Sequence, residues 1–166
     1  GDFLLMQNET LGQRFAARTA HTLGLRVAYA AAPFDAEIVA QVLPDIDLLV
    51  LNEVEAAALE KTTGTSIDAL SIDDIIVTLG AEGCKWVSKQ AKSVMNFPAY
   101  PVNVVDTTGA GDTFTGYLIA ALDRKLSMQD AIILAMQAGA LMVTRQGTAD
   151  VIPDLKDIQD HGFDGD

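Results

Sequence analysis

Gly109-Ala110-Gly111-Asp112 is where residue types and spacing could do chemistry. It lies within Val104-Val105-Asp106-Thr107-Thr108-Gly109-Ala110-Gly111-Asp112-Thr113-Phe114. The first of these residues read as the end of a strand, and the last open a helix. Small residues let backbone N–H groups turn towards an anion with no side chain in the way. The unpaired amides and positive dipole end of a helix favour the same negative charge. A carboxylate at Asp112 would repel that anion. The repulsion makes sense if Asp112 takes the proton of a hydroxyl that attacks a phosphoryl group. Taken alone, an acidic residue in a first helical turn is equally an ordinary capping feature.

Two further stretches have suggestive spacing. Asn52 and Glu55, three residues apart at a helix start, share a face. An amide and a carboxylate together suit Mg²⁺, directly or through its waters. The structural alternative is a capping box. Thr78-Leu79-Gly80-Ala81-Glu82-Gly83 places a glycine turn after a strand, a pattern common to many turns. All three stretches are expected at the C-terminal ends of strands, where open parallel sheets bind ligands.

The elements that must position these residues follow from apolar periodicity. Phe3 to Gln7, Leu25 to Tyr29, Asp47 to Leu51 and Ile75 to Leu79 read as apolar strands of a parallel sheet covered on both faces. A helix runs to about Leu23, marked by Leu11, Phe15, Thr19 and Leu23 at four-residue steps, and Gly24 stops it. Asp35 caps a short helix ending before Pro44, and residues 52–61 form a helix ended by Gly64. Cys84 to Ser88 and Ser93 to Phe97 read as a hairpin turning at 89–92. Tyr100 to Val105 leads into the glycine turn. Helices over roughly 111–124 and 127–144 follow, with Ser127 and Asp130 as a capping pair. The acidic tail 154–166 is expected to fray.

Composition bounds the function. The chain has 166 residues, 49% hydrophobic, which fits one globular domain with a sizeable core. Its net charge of −12, from 11 basic and 23 acidic residues, argues against nucleic acid or an anionic membrane as partner. Phosphate binding would then need local donors and a divalent metal. The single cysteine, Cys84, excludes an internal disulfide and reads as a buried small residue. The apolar stretch from Ala131 to Val143 is too short to span a bilayer. No signal-peptide pattern opens the sequence, so cytoplasm is the default expectation. Gly1 is not an initiator methionine, and the chain is expected to begin inside a longer protein or to carry a processing or cloning remnant. His21 and His161 lie outside every motif and read as surface residues.

Asp106-Thr107-Thr108-Gly109-Ala110-Gly111-Asp112-Thr113-Phe114 resembles the C-terminal signature of the ribokinase-like (PfkB) carbohydrate kinases. The resemblance is greatest to the ribose kinases among them. It implies an α/β fold, three-layer αβα with a mostly parallel central sheet and a small β-hairpin, of which this chain is the C-terminal portion only. It implies a single domain over 1–166, the nucleotide-binding part, with the N-terminal half and lid absent. Gly109, Ala110 and Gly111 would form the anion hole and Asp112 the catalytic base, in contact with the substrate. Asn52 and Glu55, in the family's Asn-x-x-Glu position, would organise Mg²⁺ and the nucleotide phosphates. Thr78, Gly80 and Gly83 would contact the nucleotide. Glu9, in a Met-Gln-x-Glu segment, would contact the sugar. Asp106 and Thr108, with Met142, Arg145, Gly147 and Val151 of the following loop, would hold a monovalent cation such as K⁺. Ala30 stands where ribose kinases carry an asparagine, with only Pro33 kept, so ribose is not implied as substrate.

The expected activity is transfer of the ATP γ-phosphoryl group to a primary hydroxyl of a small carbohydrate or nucleoside. Nucleotide and small sugar are the expected partners, with a homo-oligomer left open. The alternative is a truncated, non-catalytic nucleotide-binding or assembly module. A dinucleotide-binding oxidoreductase fits poorly, because Gly116 comes too late after Gly109-x-Gly111. The family's helix between Gly64 and Thr78 has too few residues here, which leaves one sheet face and the nucleotide end of the site in question.

Overall fold

The computed structural model describes residues 2–163. The chain divides after Phe97 into two compact units. The first contains β1 (Phe3–Met6), α1 (Gln13–Thr22), β2 (Arg26–Ala30), α2 (Ala36–Val42), β3 (Leu48–Asn52), α3 (Glu53–Thr63), β4 (Asp74–Thr78), β5 (Cys84–Ser88) and β6 (Ser93–Phe97). The six strands form one sheet in sequence order. β1 to β4 are parallel, with Leu49 opposite Tyr29 on one side and Ile75 on the other. β5 and β6 add an antiparallel hairpin at the far edge.

The strand sequences explain the sheet. Leu48-Leu49-Val50-Leu51 is apolar throughout and buried throughout, as a central parallel strand requires. Val27, Tyr29, Leu49, Leu51, Ile75 and Val77 form one core with Ala17 and Ala20 of α1, Val39 and Val42 of α2, and Leu59 of α3. Each fully buried side chain of this size contributes about 1.5–3 kcal/mol relative to exposure. The alternate residues Ala28, Leu48 and Ile76 are fully buried as well.

Two local expectations change. The apolar steps that mark α1 in the sequence do not face the sheet. The helix turns Ala17 and Ala20 inward, where small side chains allow close packing, and leaves Leu11, Phe15 and Leu23 exposed at 96%, 78% and 71%. Between Gly64 and β4 no second α-helix forms. A single 3₁₀ turn at Ile67–Ala69 makes the connection, and Ile67 and Ile72 join the buried core. The helix that the family pattern leads one to expect is therefore replaced by two anchoring isoleucines.

The second unit contains α4 (Ala110–Asp123), α5 (Met128–Met142) and α6 (Leu155–His161). α4 buries Phe114, Leu118, Ala121 and Leu122, and α5 buries Ile132, Ala135 and Met136. Ser127 caps α5, its hydroxyl accepting the Asp130 amide at 3.1 Å. Ile158 of α6 packs with Ala138 and Leu141 of α5. A capping box between Asp154 and Asp157 starts α6, so the tail is ordered there. The end of the tail, 164–166, and Gly1 lie outside the described residues. Residues 98–109 form no strand. Val104 and Val105 are exposed, and the amides of Val105 and Asp106 instead reach the Val143 carbonyl at 2.7 and 3.1 Å. The glycine turn therefore follows a loop pinned to the end of α5, and not a strand end as the sequence suggests. Among the described residues, no helix is long and apolar enough to cross a membrane.

Candidate active site

The turn at 106–112 is built from three local devices. Asp106 accepts the Thr108 amide at 2.9 Å, which closes the loop back on itself. The Ala110 amide returns to the Thr107 carbonyl at 3.2 Å. Gly109 then enters α4 as its N-cap with φ 76°, a left-handed conformation that side chains resist. The first intrahelical bond runs from the Thr113 amide to the Gly109 carbonyl at 2.9 Å. The Gly111 amide belongs to the turn before it, where a helix has no carbonyl of its own to offer. Asp112 is exposed in that same first turn. A carboxylate thus stands at the positive end of a 14-residue helix. Behind it, the buried Thr113 hydroxyl has no hydrogen-bond partner among the described residues.

The residues expected to hold a monovalent cation come together around this turn. Hydrogen bonds from Thr108 and from the Gly147 amide hold the Asp106 carboxyl below its ordinary value. One carboxylate thereby ties the glycine turn to the loop after α5. Met142 ends α5 beside Gly109, since a Cβ at Gly109 would lie 3.3 Å from the Met142 Cε. Gly147 adopts φ 138° in tight quarters, with Val151 and Asp150 within 3.0–3.2 Å of a Cβ there. Arg145 points its guanidinium to the Val151 carbonyl at 3.1 Å and to Asp157 at 3.0 Å. Its cation is therefore engaged with α6, and the loop offers peptide oxygens more readily than side chains.

In the first unit, Asn52 and Glu55 form a reciprocal capping box. The Asn52 Oδ1 accepts the Glu55 amide at 2.9 Å, and the Glu55 Oε2 accepts the Asn52 amide at 2.8 Å. The capping box that the spacing allows is thus present. It engages only one oxygen of the Glu55 carboxylate. The pair fits a hydrated Mg²⁺ held through water more than a fully protein-ligated ion. Among the described residues, no group of three or more His, Cys, Asp or Glu could hold a metal by itself. When bound, Mg²⁺ would neutralise phosphate charge there.

Asn52 and Thr78 stand opposite each other in adjacent parallel strands, at the C-terminal ends of β3 and β4. Beyond Thr78, the Leu79 amide bonds the Gly83 carbonyl at 2.8 Å and the Gly83 amide bonds Gly80 at 3.2 Å. Gly80 and Gly83 thus close a compact loop between β4 and β5.

Glu9 lines a groove of about 380 Å³ with Gln7, Thr10 and Gln13. The residue that organises this end is the unspecified position of the Met-Gln-x-Glu segment. Asn8 donates to the Pro33 carbonyl at 3.0 Å and accepts from Gln13 at 3.0 Å and from the Tyr29 hydroxyl at 3.1 Å. It ties the exits of β1 and β2 to the start of α1, and so fixes the backbone beside Glu9. Burial, and secondarily the Asp35 charge, raises the Tyr29 hydroxyl above its ordinary value, which keeps it a donor. An asparagine two residues beyond the apolar strand end at Met6 was the available signal. The histidines stay outside: His21 meets Asp47 at 3.1 Å, and His161 stacks near Phe163.

A sequence model described as pfkB family carbohydrate kinase matches residues 6–155. The chain belongs to the PfkB family of carbohydrate kinases. Its PfkB relatives include the ribokinase of Haemophilus influenzae, 36% identical, with 92% of this chain aligned to 53% of that one. Among solved PfkB structures, the Thermotoga maritima ribokinase superposes with a TM-score of 0.81 at 31% identity, covering 96% of this chain and 56% of that one. The Arabidopsis thaliana ribokinase complexed with ribose and ATP gives a TM-score of 0.85 at 25% identity, over 99% and 56%. The chain spans about half the length of the curated relatives it matches.

Proposed function

We propose that this PfkB chain carries the phosphoryl-transfer end of an ATP-dependent sugar kinase. The acceptor is a primary hydroxyl of a small carbohydrate or nucleoside. The observation that carries the reading is the start of α4: a left-handed Gly109 opens the helix, and Asp112 is exposed in its first turn. In this reading the Asp112 carboxylate accepts the proton of the attacking hydroxyl. The amides of 109–111 stabilise charge as it develops on the transferred phosphoryl oxygens. Asn52 and Glu55 position Mg²⁺ and the nucleotide phosphates, and Thr78, Gly80 and Gly83 line the nucleotide. Glu9 orients the sugar, with Asn8 holding its loop in place. Asp106, Thr108, Met142, Arg145 and Gly147 frame a monovalent cation such as K⁺, mainly through peptide oxygens. The ATP and ribose in the Arabidopsis relative support the choice of nucleotide and of substrate class.

The test has two stages. Mg-ATP is titrated into the chain, and ADP release is then followed with a panel of pentoses, hexoses and nucleosides. Sugar-dependent ADP release that collapses in Asp112→Asn, with nucleotide affinity retained, is the expected result for a competent enzyme. A base contributes about 10²–10⁴ in rate, so the loss should fall in that range. Equal turnover in Asp112→Asn removes the base assignment. Nucleotide binding with no response to any sugar assigns the chain to the non-catalytic module.

A further inference from the structure

The loop after α5 that meets the glycine turn is closed by one side chain. Asp106 accepts the Thr108 amide at 2.9 Å and also the Gly147 amide, so a single carboxylate joins the turn to the loop. Gly147 lies inside the stretch from Arg145 to Val151. The Arg145 Nη1 donates across that stretch to the Val151 carbonyl at 3.1 Å. Val151 in turn crowds Gly147, since a Cβ at Gly147 would lie 3.0 Å from its side chain. The position of Val151 therefore bears directly on the amide that holds Asp106.

α6 keeps the guanidinium in place. The Asp157 Oδ2 meets the Arg145 Nη2 at 3.0 Å. The same oxygen accepts the Asp154 amide at 3.2 Å, which orients the carboxylate. α6 is itself anchored twice within its unit. Ile158 packs with Ala138 and Leu141 of α5, and the Tyr117 hydroxyl of α4 donates to the Pro153 carbonyl just before α6. Arg145 and Asp157 are 32% and 42% exposed, and an isolated ion pair at such a site contributes little. This pair differs because the planar fork of Arg145 makes its carboxylate and carbonyl contacts together. The family match, over residues 6–155, reaches only the first residue of α6.

We propose that Asp157 of α6 is a positioning residue for the glycine turn. It holds the Arg145 guanidinium on the Val151 carbonyl, and the loop closed in this way presents the Gly147 amide to Asp106, which fixes the Thr108 amide. The side chain of Arg145 thus acts as a clamp, while its peptide oxygen stays free for the cation frame proposed above. The structural part of this inference stands on contacts within one unit. Its catalytic consequence rests on the phosphoryl-transfer reading of the turn.

Amide exchange at Thr108 and Gly147, followed by NMR, tests the structural part. Asp157→Asn keeps an oxygen for the Asp154 amide and removes the charge that draws Arg145. Arg145→Gln removes the clamp from the other side. Each should speed exchange at both amides by about two- to fivefold. The double variant should be no faster than the faster single one, because the two residues act in series. Asp160→Asn, which removes another exposed carboxylate of α6, is the control and should change neither amide. Unchanged exchange in Asp157→Asn overturns the proposal. So does a double variant in which the two effects multiply, or an equal response to Asp160→Asn. The catalytic part is read from turnover with Mg-ATP and sugar. In Asp157→Asn, kcat should fall while the KM for Mg-ATP holds, because the amides of the turn act on the phosphoryl group in transfer. Faster exchange with kcat unchanged overturns the catalytic consequence. A parent chain with no turnover removes the phosphoryl-transfer reading instead, and the exchange rates still decide whether Asp157 positions the turn.

Discussion

Single residues in this chain act through backbone conformation and through charge, and both can be read quantitatively. Gly109 and Gly147 hold positive φ angles of 76° and 138°. Replacing Gly109 with Ala imposes a left-handed backbone strain of about 1–2 kcal/mol. The new methyl would meet the mobile end of Met142, which can give way. At Gly147 the methyl would meet the branched Val151 side chain at 3.0 Å. Urea unfolding should therefore rank Gly147→Ala as the more destabilised of the two. Asp45 is the clearest charged case. Burial would raise its carboxyl, but hydrogen bonds from Arg18 and Arg14 outweigh that and hold it below the ordinary 3.8. The unfolded chain then takes up the proton first as pH falls. The stabilisation is complete above that ordinary value and is lost as pH drops through the lower folded one. Asp45→Asn should thus be less stable than the parent at neutral pH, and the difference should shrink in acid. Urea midpoints measured across that range check the sign.

At the scale of elements, α3 shows how one motif can have a structural and a chemical role together. The capping box ties Asn52 to Glu55, and truncating such a cap costs about 0.5–2 kcal/mol. Asn52→Ala should lower stability by that amount whatever the function. Glu55→Gln is the more informative change. Its amide oxygen can still accept the Asn52 amide, so thermal stability should barely move. Only the negative charge is lost. If the carboxylate helps to organise Mg²⁺, the Mg²⁺ dependence of nucleotide affinity should weaken in Glu55→Gln at unchanged Tm. Calorimetric titration with and without Mg²⁺ measures this directly. Equal Mg²⁺ dependence in both proteins would confine the pair to capping.

For the molecule as a whole, charge dominates. A net charge of −12 on 166 residues makes the compact state repel itself. Salt screens that repulsion over about 10 Å at 0.1 M. The chain's Tm should therefore rise as monovalent salt is added from low ionic strength. A falling Tm would mean that ion pairs such as Arg18–Asp45 and Arg145–Asp157 outweigh the net repulsion. The family match over residues 6–155 and the half-length alignment to relatives bear on the same scale. They show a PfkB family chain that spans about half the length of the relatives it matches.

Local chemistry was legible in the residues themselves. Apolar runs at Leu48–Leu51 and Ile75–Val77 dictate buried strands, because each carries no polar side chain to send to water. Asn52 with Glu55, Ser127 with Asp130, and Asp35 announce helix starts, because capping depends on residues within three positions. The glycine turn was legible for the same reason: small residues in an unbroken run allow the left-handed Gly109 that opens α4. Tertiary structure decided what local spacing cannot encode. It turned the stripe of α1 outward, because Ala17 and Ala20 approach the sheet more closely than Phe15 could. It gave Val104 and Val105 no strand neighbour and tied their loop to Val143, 38 residues further along for Val105. It made Asn8 a junction for Pro33, Tyr29 and Gln13. Contacts between distant positions depend on which surfaces the packed chain brings together, and no window of neighbouring residues contains that information.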